Sequence, residues 1–374
     1  MKIGCDAKCI IDDKKTGIGY YAYNLIKELQ KKENITIHYH LFKNSCINNL
    51  LNKNDIFYTN SNLFSHMTYY LLSYFFHFPY HYLFGKNDDF TIFFNYIVPA
   101  GVSGKKIVMI HDMAYKRYPY TVKLRTRLWL ELGMKRTVHI ADKILTPSEF
   151  SKQEIIKYLK VDPNKIATIS CGVDKSLYHP NYTNKTIEKV KQKYEIIGDY
   201  YLYTGTIEPR KNIKQLLIAY AELTKEQSEL PLLVIVGKKG WFYKEIFDTV
   251  IKYKIENKVI FTGYIPENDV AILMNGTKIF IYPSIYEGFG MPVLEAMACK
   301  AAIITSSVSS LPEVTDNSAV LINPFSISDI KNAILKLENN KIYRQYIAQS
   351  GYYRSKKFSW DIVADNVYNM LNNI

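Results

Sequence analysis

Residues 279–295 read Ile279-Phe280-Ile281-Tyr282-Pro283-Ser284-Ile285-Tyr286-Glu287-Gly288-Phe289-Gly290-Met291-Pro292-Val293-Leu294-Glu295. The run Ile279 to Tyr282 predicts a strand, and Pro292 to Cys299 a helix. Proline suits the first helical turn, where its missing N–H is not needed. The glycines between them expose backbone N–H groups. A strand entering a helix in this way is one step of a parallel sheet covered by helices. Glu287 precedes the turn and Glu295 lies inside the helix, so both carboxylates can face one pocket and accept hydrogen bonds from sugar hydroxyls. A hydrolytic glycosidase, with two carboxylates flanking the scissile bond, would also suit this pair.

The alternation extends in both directions. Upstream, Tyr200 to Tyr203, Leu232 to Val236 and Lys258 to Phe261 predict strands, and Lys214 to Leu223 a helix. Downstream, Ala301 to Thr305 predicts a strand and the tail from about Ile330 predicts helices. An earlier set contains strands at Lys2 to Ala7, Thr36 to Leu41, Asp55 to Thr59, Thr91 to Phe94, Lys106 to Ile110, Lys143 to Pro147 and Lys165 to Ser170. Ile18, Tyr21, Ala22, Leu25, Ile26 and Leu29 share one helical face, and a second helix runs from Ser148 to Leu159. The polar segment from His179 to Asp199 separates the two sets. The expected fold is therefore α/β, with two doubly wound, Rossmann-like domains facing each other across a ligand cleft at the carboxyl ends of their strands. The domains are expected at 1–178 and 195–355.

The bulk composition narrows the function. A chain of 374 residues with 48% apolar content can build two cores. Its net charge of +13 favours anionic partners such as nucleic acid, acidic headgroups or diphosphates. Between Lys105 and Arg136 stand nine basic residues and two acidic ones, Asp112 and Glu131, which suits either a solvated face or a surface turned to an anionic membrane or a lipid-linked phosphate. The scattered Cys5, Cys9, Cys46, Cys171 and Cys299 make no zinc pattern and suggest a reducing, cytoplasmic setting. The opening MKIGCDAKCI reads as a strand rather than an apolar leader. Leu63 to Phe84 is rich in Tyr and broken by His66, His77, Pro79 and His81. It reads as aromatic surface or lid structure, compatible with monotopic contact but not with a span.

Further turns carry candidate chemistry. Thr16-Gly17-Ile18-Gly19 opens a helix whose free N–H groups suit an anion, although a bare turn explains it equally. His111-Asp112 closes an apolar strand; the histidine would point into the crevice, with Asp112 orienting it or capping the next turn. Gly205-Thr206-Ile207-Glu208-Pro209-Arg210-Lys211-Asn212 sets a planar fork beside a point charge, a pair suited to a diphosphate. At Ser309-Ser310-Leu311-Pro312-Glu313-Val314, Ser310 and Glu313 match a capping box, and the hydroxyls can alternatively hold a phosphate.

With Asp6-Ala7-Lys8, residues 145–151 (LTPSEFS), residues 236–241 (VGKKGW) and Phe261-Thr262-Gly263-Tyr264-Ile265, these segments make the whole chain resemble the retaining GT-B glycosyltransferases of family 4, in the branch of bacterial mannosyltransferases of surface-polysaccharide assembly. The resemblance implies a nucleotide-sugar donor, GDP-mannose by branch, with no cofactor or metal required. It implies a glycan or lipid-diphosphate-linked oligosaccharide as acceptor, and work in the cytoplasm or peripherally at the membrane's cytoplasmic face. By the same resemblance, Arg210 and Lys211 hold the diphosphate, Glu287 and the Gly288-Phe289-Gly290 backbone contact the donor sugar, and Glu295 binds ribose. His111 sits beside the reacting centre and Gly17 near the phosphates. Ser310 and Leu311 line the nucleotide side, and Gly263, Tyr264 and Ile265 lie near the base. Thr206 stands where many members carry a cation, and Lys8 where the branch has arginine. The tail from about residue 358 to 374 would return to the first domain.

Three other classes fit less well. A nucleic-acid binder lacks a recognised module, and a nicotinamide enzyme lacks a convincing Gly-rich turn with its acidic partner. A non-catalytic nucleotide binder would not need all of His111, Arg210, Lys211, Glu287 and Glu295.

Overall fold

The computed structural model describes residues 1–11, 17–43, 57–227 and 229–374. Thr16, Cys46 and the first two residues of the strand expected from Asp55 lie outside them. The chain forms two compact units, one of Met1–Gly172 with Trp360–Ile374, the other of Val173–Ser359.

The first unit holds a parallel sheet of β1 (Lys2–Asp6), β2 (Thr36–Phe42), β3 (Phe57–Ser61), β4 (Phe90–Phe93), β5 (Lys105–Met109), β6 (Lys143–Thr146) and β7 (Ile166–Thr168). The strand order is 3-2-1-4-5-6-7. Helix Gly17–Leu29 lays Tyr21, Ala22, Leu25, Ile26 and Leu29 into the core, the face expected from their spacing. Its neighbour is the last helix, Trp360–Asn372, and the Tyr21 and Trp360 rings meet edge-on at 5.4 Å. The aromatic stretch after Leu63 is helical over His66–Phe76 and His81–Phe84. Tyr69, Tyr70, Tyr80 and Phe84 are sunk into the main cluster with Phe42 and Phe93, so much of this stretch is core rather than surface. No helix among the described residues is long and apolar enough to cross a membrane.

The second unit holds β8 (Tyr200–Thr204), β9 (Leu232–Val236), β10 (Val259–Gly263), β11 (Ile279–Tyr282), β12 (Ile303–Ser306) and β13 (Val320–Ile322), all parallel, in the order 10-9-8-11-12-13. Strands β8, β11 and β12 are buried throughout, as strands covered on both faces must be. In each unit the order reverses once, between β1 and β4 and between β8 and β11. Loops leaving the two reversal strands part to opposite sides and open a crevice.

Candidate active site

The crevice of the second unit is built by three loops: residues 205–212 after β8, residues 283–290 after β11, and residues 307–310 after β12. Arg210 Nη1 donates to the Tyr286 carbonyl at 2.7 Å and to Glu287 at 3.0 Å, while Nη2 donates to Glu208 at 3.0 Å. Lys211 Nζ donates to Glu287 Oε1 at 2.6 Å and to the Tyr282 hydroxyl at 2.7 Å. Ser284 and Tyr282 bring their hydroxyls to the same Oε1, at 2.6 and 3.0 Å. Glu287 is buried. Burial works against its charge, but Arg210, Lys211 and the Lys211 and Ser284 hydrogen bonds outweigh it and hold the carboxyl at about 2. Burial, and then Arg210, lower the Lys211 pKa against the opposite pull of Glu287. Two cations and two carboxylates sum to zero formal charge, so a diphosphate entering here has to share the cations with Glu208 and Glu287.

The third loop braces the second. Ser309 Oγ accepts from the Glu287 N–H at 3.1 Å. Ser310 Oγ lies 2.9 Å from both the Glu287 and Phe289 carbonyls. Here the capping-box expectation is corrected: Ser310 makes no side-chain cap of the helix Leu311–Thr315, because its hydroxyl is drawn to those carbonyls. Gly290 has φ +103°, and a Cβ there would lie 2.6 Å from Leu311 Cδ2, so the turn requires glycine. Leu311 and Phe289 are buried, and Phe289 meets Phe358 edge-on at 5.9 Å.

Half-buried Glu295 sits in helix Met291–Ala298. Burial, with Glu267 adding repulsion, raises its pKa to about 8, so it is mostly a neutral acid at pH 7. A raised pKa means that the fold favours the protonated form, and its stabilisation is lost as pH rises through that value. The thermal midpoint is expected to fall as pH rises from about 4.5 to about 8 and to level off above that, and Glu295→Gln to remove that part of the fall. Parallel profiles for wild type and variant, measured by differential scanning fluorimetry, would contradict this. Gly263 and Ile265 follow β10, Ile265 buried and Tyr264 exposed. Thr206 lies in the loop after β8, where the Ile207 N–H donates to Lys238 O at 3.0 Å.

In the first unit His111 follows β5. Its Nε2–H donates to the Phe94 carbonyl at 2.8 Å, which leaves Nδ1 as the lone-pair nitrogen of the neutral ring. Burial lowers its pKa despite that bond and Asp112. Asp112 accepts from the Ala114 N–H at 2.9 Å, so it caps the following turn rather than holding the imidazole. Gly17 begins helix Gly17–Leu29, with open space where a side chain would stand.

Sequence reasoning did not single out Tyr282, Ser284 or Glu208 as site residues. Their signal was proximity in sequence, at strand ends beside Glu287 and Arg210. It also missed the buried Asp6, which accepts from Tyr70 at 2.6 Å and lies 3.1 Å from His66 Nε2, at the carboxyl end of β1. Among the described residues one group has metal-ligand character. His38, His40 and Asp88 converge within 3.2 Å beside Gly4 of β1. Their outer ring nitrogens meet Thr59 and Tyr80, so the group satisfies itself as a hydrogen-bond network.

Known proteins are similar to this chain in sequence and in fold. Residues 161–354 match the family described as Glycosyl transferases group 1, and residues 15–177 match Glycosyltransferase Family 4. O-antigen chain mannosyltransferase B of Escherichia coli is 33% identical over 271 residues, 71% of this chain and 70% of that protein. The serotype-specific mannosyltransferase WbdA of Escherichia coli is 30% identical over 285 residues, 74% of this chain but only 34% of WbdA. The crystal structure of Anabaena HepE (Alr3699) in complex with UDP and glucose shares the fold, with TM-score 0.75 and 16% identity across 100% of this chain and 99% of that one. Matches to both halves, and identity along most of a curated relative, make the conclusion plain: the chain belongs to the group 1, family 4 glycosyltransferases and is an enzyme of that class with the GT-B fold.

Proposed function

We propose that this glycosyltransferase moves mannose from GDP-mannose to a glycan or lipid-diphosphate-linked oligosaccharide, with retention of configuration, in surface-polysaccharide assembly. It would work in the cytoplasm, peripherally at the membrane. The observation that carries the donor side is the Arg210, Lys211 and Glu287 cluster at the reversal of the second sheet. The names of the curated Escherichia coli relatives support mannose and O-antigen chains.

In this reading Arg210 and Lys211 hold the diphosphate and stabilise charge as the bond from the anomeric carbon to the phosphate oxygen breaks. The acceptor hydroxyl attacks from the same face, its oxygen bonds to the anomeric carbon, and its proton passes to the departing phosphate oxygen. Glu287 positions the cations and, with the Gly288 to Gly290 backbone, the sugar hydroxyls. Glu295 and Ser310 face the nucleoside, Tyr264 lies near the base, and His111 serves the reacting centre from the first unit.

A panel of GDP-, UDP- and dTDP-sugars tests this through thermal stabilisation and slow donor hydrolysis. A response confined to GDP-mannose and weakened in Glu287→Ala is expected. The HepE complex with UDP and glucose favours a second reading, a UDP-sugar donor. A response to UDP-sugars alone would select it, and silence with every donor would contradict both.

A further inference from the structure

We propose that His38, His40 and Asp88 of the first unit bind a divalent transition-metal ion, zinc by ligand type, as a structural clip in the first sheet. His38 and His40 stand two apart on β2 and so point to the same face. Asp88 lies two residues before β4. Strand β1 runs between β2 and β4, and its Gly4 pairs with His38 on one side and Thr91 on the other. A Cβ at Gly4 would lie 2.6 Å from Asp88 Oδ2 and 2.6 Å from His40 Cε1. Side chains from the segments flanking β1 therefore meet over a residue that leaves them room. Glycine inside a strand weakens it and often marks the close approach of a ligand.

The three ligand atoms form a nearly equilateral triangle. His38 Nδ1 and His40 Nε2 are 3.2 Å apart, and they stand 3.1 and 2.9 Å from Asp88 Oδ2. Ligands about 2.0–2.1 Å from a tetrahedral ion lie about 3.3 Å from one another, so an ion just off the plane of this triangle reaches all three with small shifts. Asp88 Oδ1, 2.9 Å from His38 Nδ1, can supply the fourth contact. As a hydrogen-bond network the same triangle leaves one edge unrewarded. With both rings donating to Asp88, two N–H groups face each other at 3.2 Å. A dication in place of those protons, which pass to the outer nitrogens, makes every edge favourable. The outer nitrogens then donate to Thr59 Oγ1 at 2.8 Å and to the Tyr80 hydroxyl at 2.9 Å, the kind of bond that orients metal-bound imidazoles.

Ligand chemistry selects the ion. Two imidazoles and one carboxylate suit zinc, cobalt, nickel or copper rather than magnesium or calcium, which take oxygen ligands. All three side chains are buried, as in a closed structural site. On the solvent side, Lys2 Nζ stands 3.5 Å from Asp88 Oδ1 and 4.5 Å over the Phe57 ring, which leans on His38 at 4.3 Å. Lys2 offsets the carboxylate when no ion is bound and turns to water to admit one. The bound ion joins β2 to the segment before β4 across β1, so its binding free energy adds to the stability of the first unit. It takes no part in sugar transfer, and the inference is independent of the transferase reading.

The test uses the full, tag-free chain stripped with chelator. Zinc at about a hundredfold excess over its dissociation constant should raise the thermal midpoint by about 5–10 °C. Elemental analysis after gel filtration should then find one zinc per chain, and cobalt in its place should give the intense visible bands of a four-coordinate site. His40→Gln and Asp88→Asn should abolish these responses. Tyr80→Phe keeps the buried ring and all three ligands, and should weaken zinc binding about 10- to 100-fold; it carries the test if the ligand variants fail to fold. The proposal is overturned if zinc and cobalt leave the wild-type midpoint and spectrum unchanged, or if magnesium shifts the midpoint as much as zinc. It is also overturned if folded His40→Gln or Asp88→Asn, or Tyr80→Phe, binds zinc as tightly as wild type, which would place the ion elsewhere.

Discussion

Glu287→Ala is expected to lower donor turnover by more than about 10²-fold and the thermal midpoint by on the order of 10 °C. Glu287 is where Lys211, Arg210, Ser284 and Tyr282 converge. Removing it leaves Lys211 buried without its carboxylate and leaves Arg210 with Glu208 as its remaining ion pair. Breaking one side of a buried pair typically costs about 3–5 kcal/mol, because the partner's charge stays desolvated. Glu287→Gln keeps the shape and some hydrogen bonds and should fall between. The pH dependence has a definite sign. With its pKa lowered to about 2, Glu287 stabilises the fold fully above the ordinary value of 4.5 and loses that contribution as pH falls. The gap between wild type and Glu287→Ala should therefore be full at neutral pH and close in acid. A midpoint change under about 2 °C at neutral pH would show that the cluster is not held together through this carboxylate.

Lys211→Met is expected to separate catalysis from folding. The substitution keeps length and apolar bulk while removing one charge, and Glu287 retains Arg210, Ser284 and Tyr282. The fold should survive with a smaller midpoint shift than in Glu287→Ala. Turnover should drop by about 10² to 10³, mainly in kcat, because charge on the leaving diphosphate grows in the transition state. Arg210→Lys should also be impaired despite keeping its charge, since the guanidinium fork joins Tyr286 O, Glu287 and Glu208 together. Initial rates and thermal midpoints measured on the same preparations decide the matter. If Lys211→Met loses stability as much as Glu287→Ala but keeps its kcat, the lysine is only a structural partner.

The elements that pack by periodicity were legible in the sequence. Helix Gly17–Leu29 buries the face its spacing marks, and the apolar runs at Leu232–Val236 and Ile279–Tyr282 are strands with those bounds. Strand β13 was not, because Val320–Ile322 is three residues long and too short to show a pattern. Among the site residues, Arg210, Lys211 and Glu287 stood out as charges beside glycine and proline turns. What local reading could not supply was their pairing. A cation two or three residues from a turn does not reveal that a carboxylate 76 or 77 residues away will meet it. Ser310 illustrates the same limit. Its spacing from Glu313 satisfies the capping pattern, yet carbonyls 21 and 23 residues upstream compete for the hydroxyl and win. The segment after Leu63 misled in another way. Its many tyrosines suggested surface, but the helical period sends Tyr69 and Tyr70 inward and leaves Met67, Leu71 and Phe75 outside.

The central claim is a nucleotide-sugar donor held by the second unit's cluster and opened with retention. It is tested most directly by running the donor hydrolysis on GDP-mannose and following the released sugar by proton NMR from the first turnovers, before mutarotation mixes the anomers. The account predicts that α-mannose appears first, with GDP, and that Lys211→Met slows its appearance by about 10² or more. Release of β-mannose first, or a rate unchanged in Lys211→Met, would contradict it.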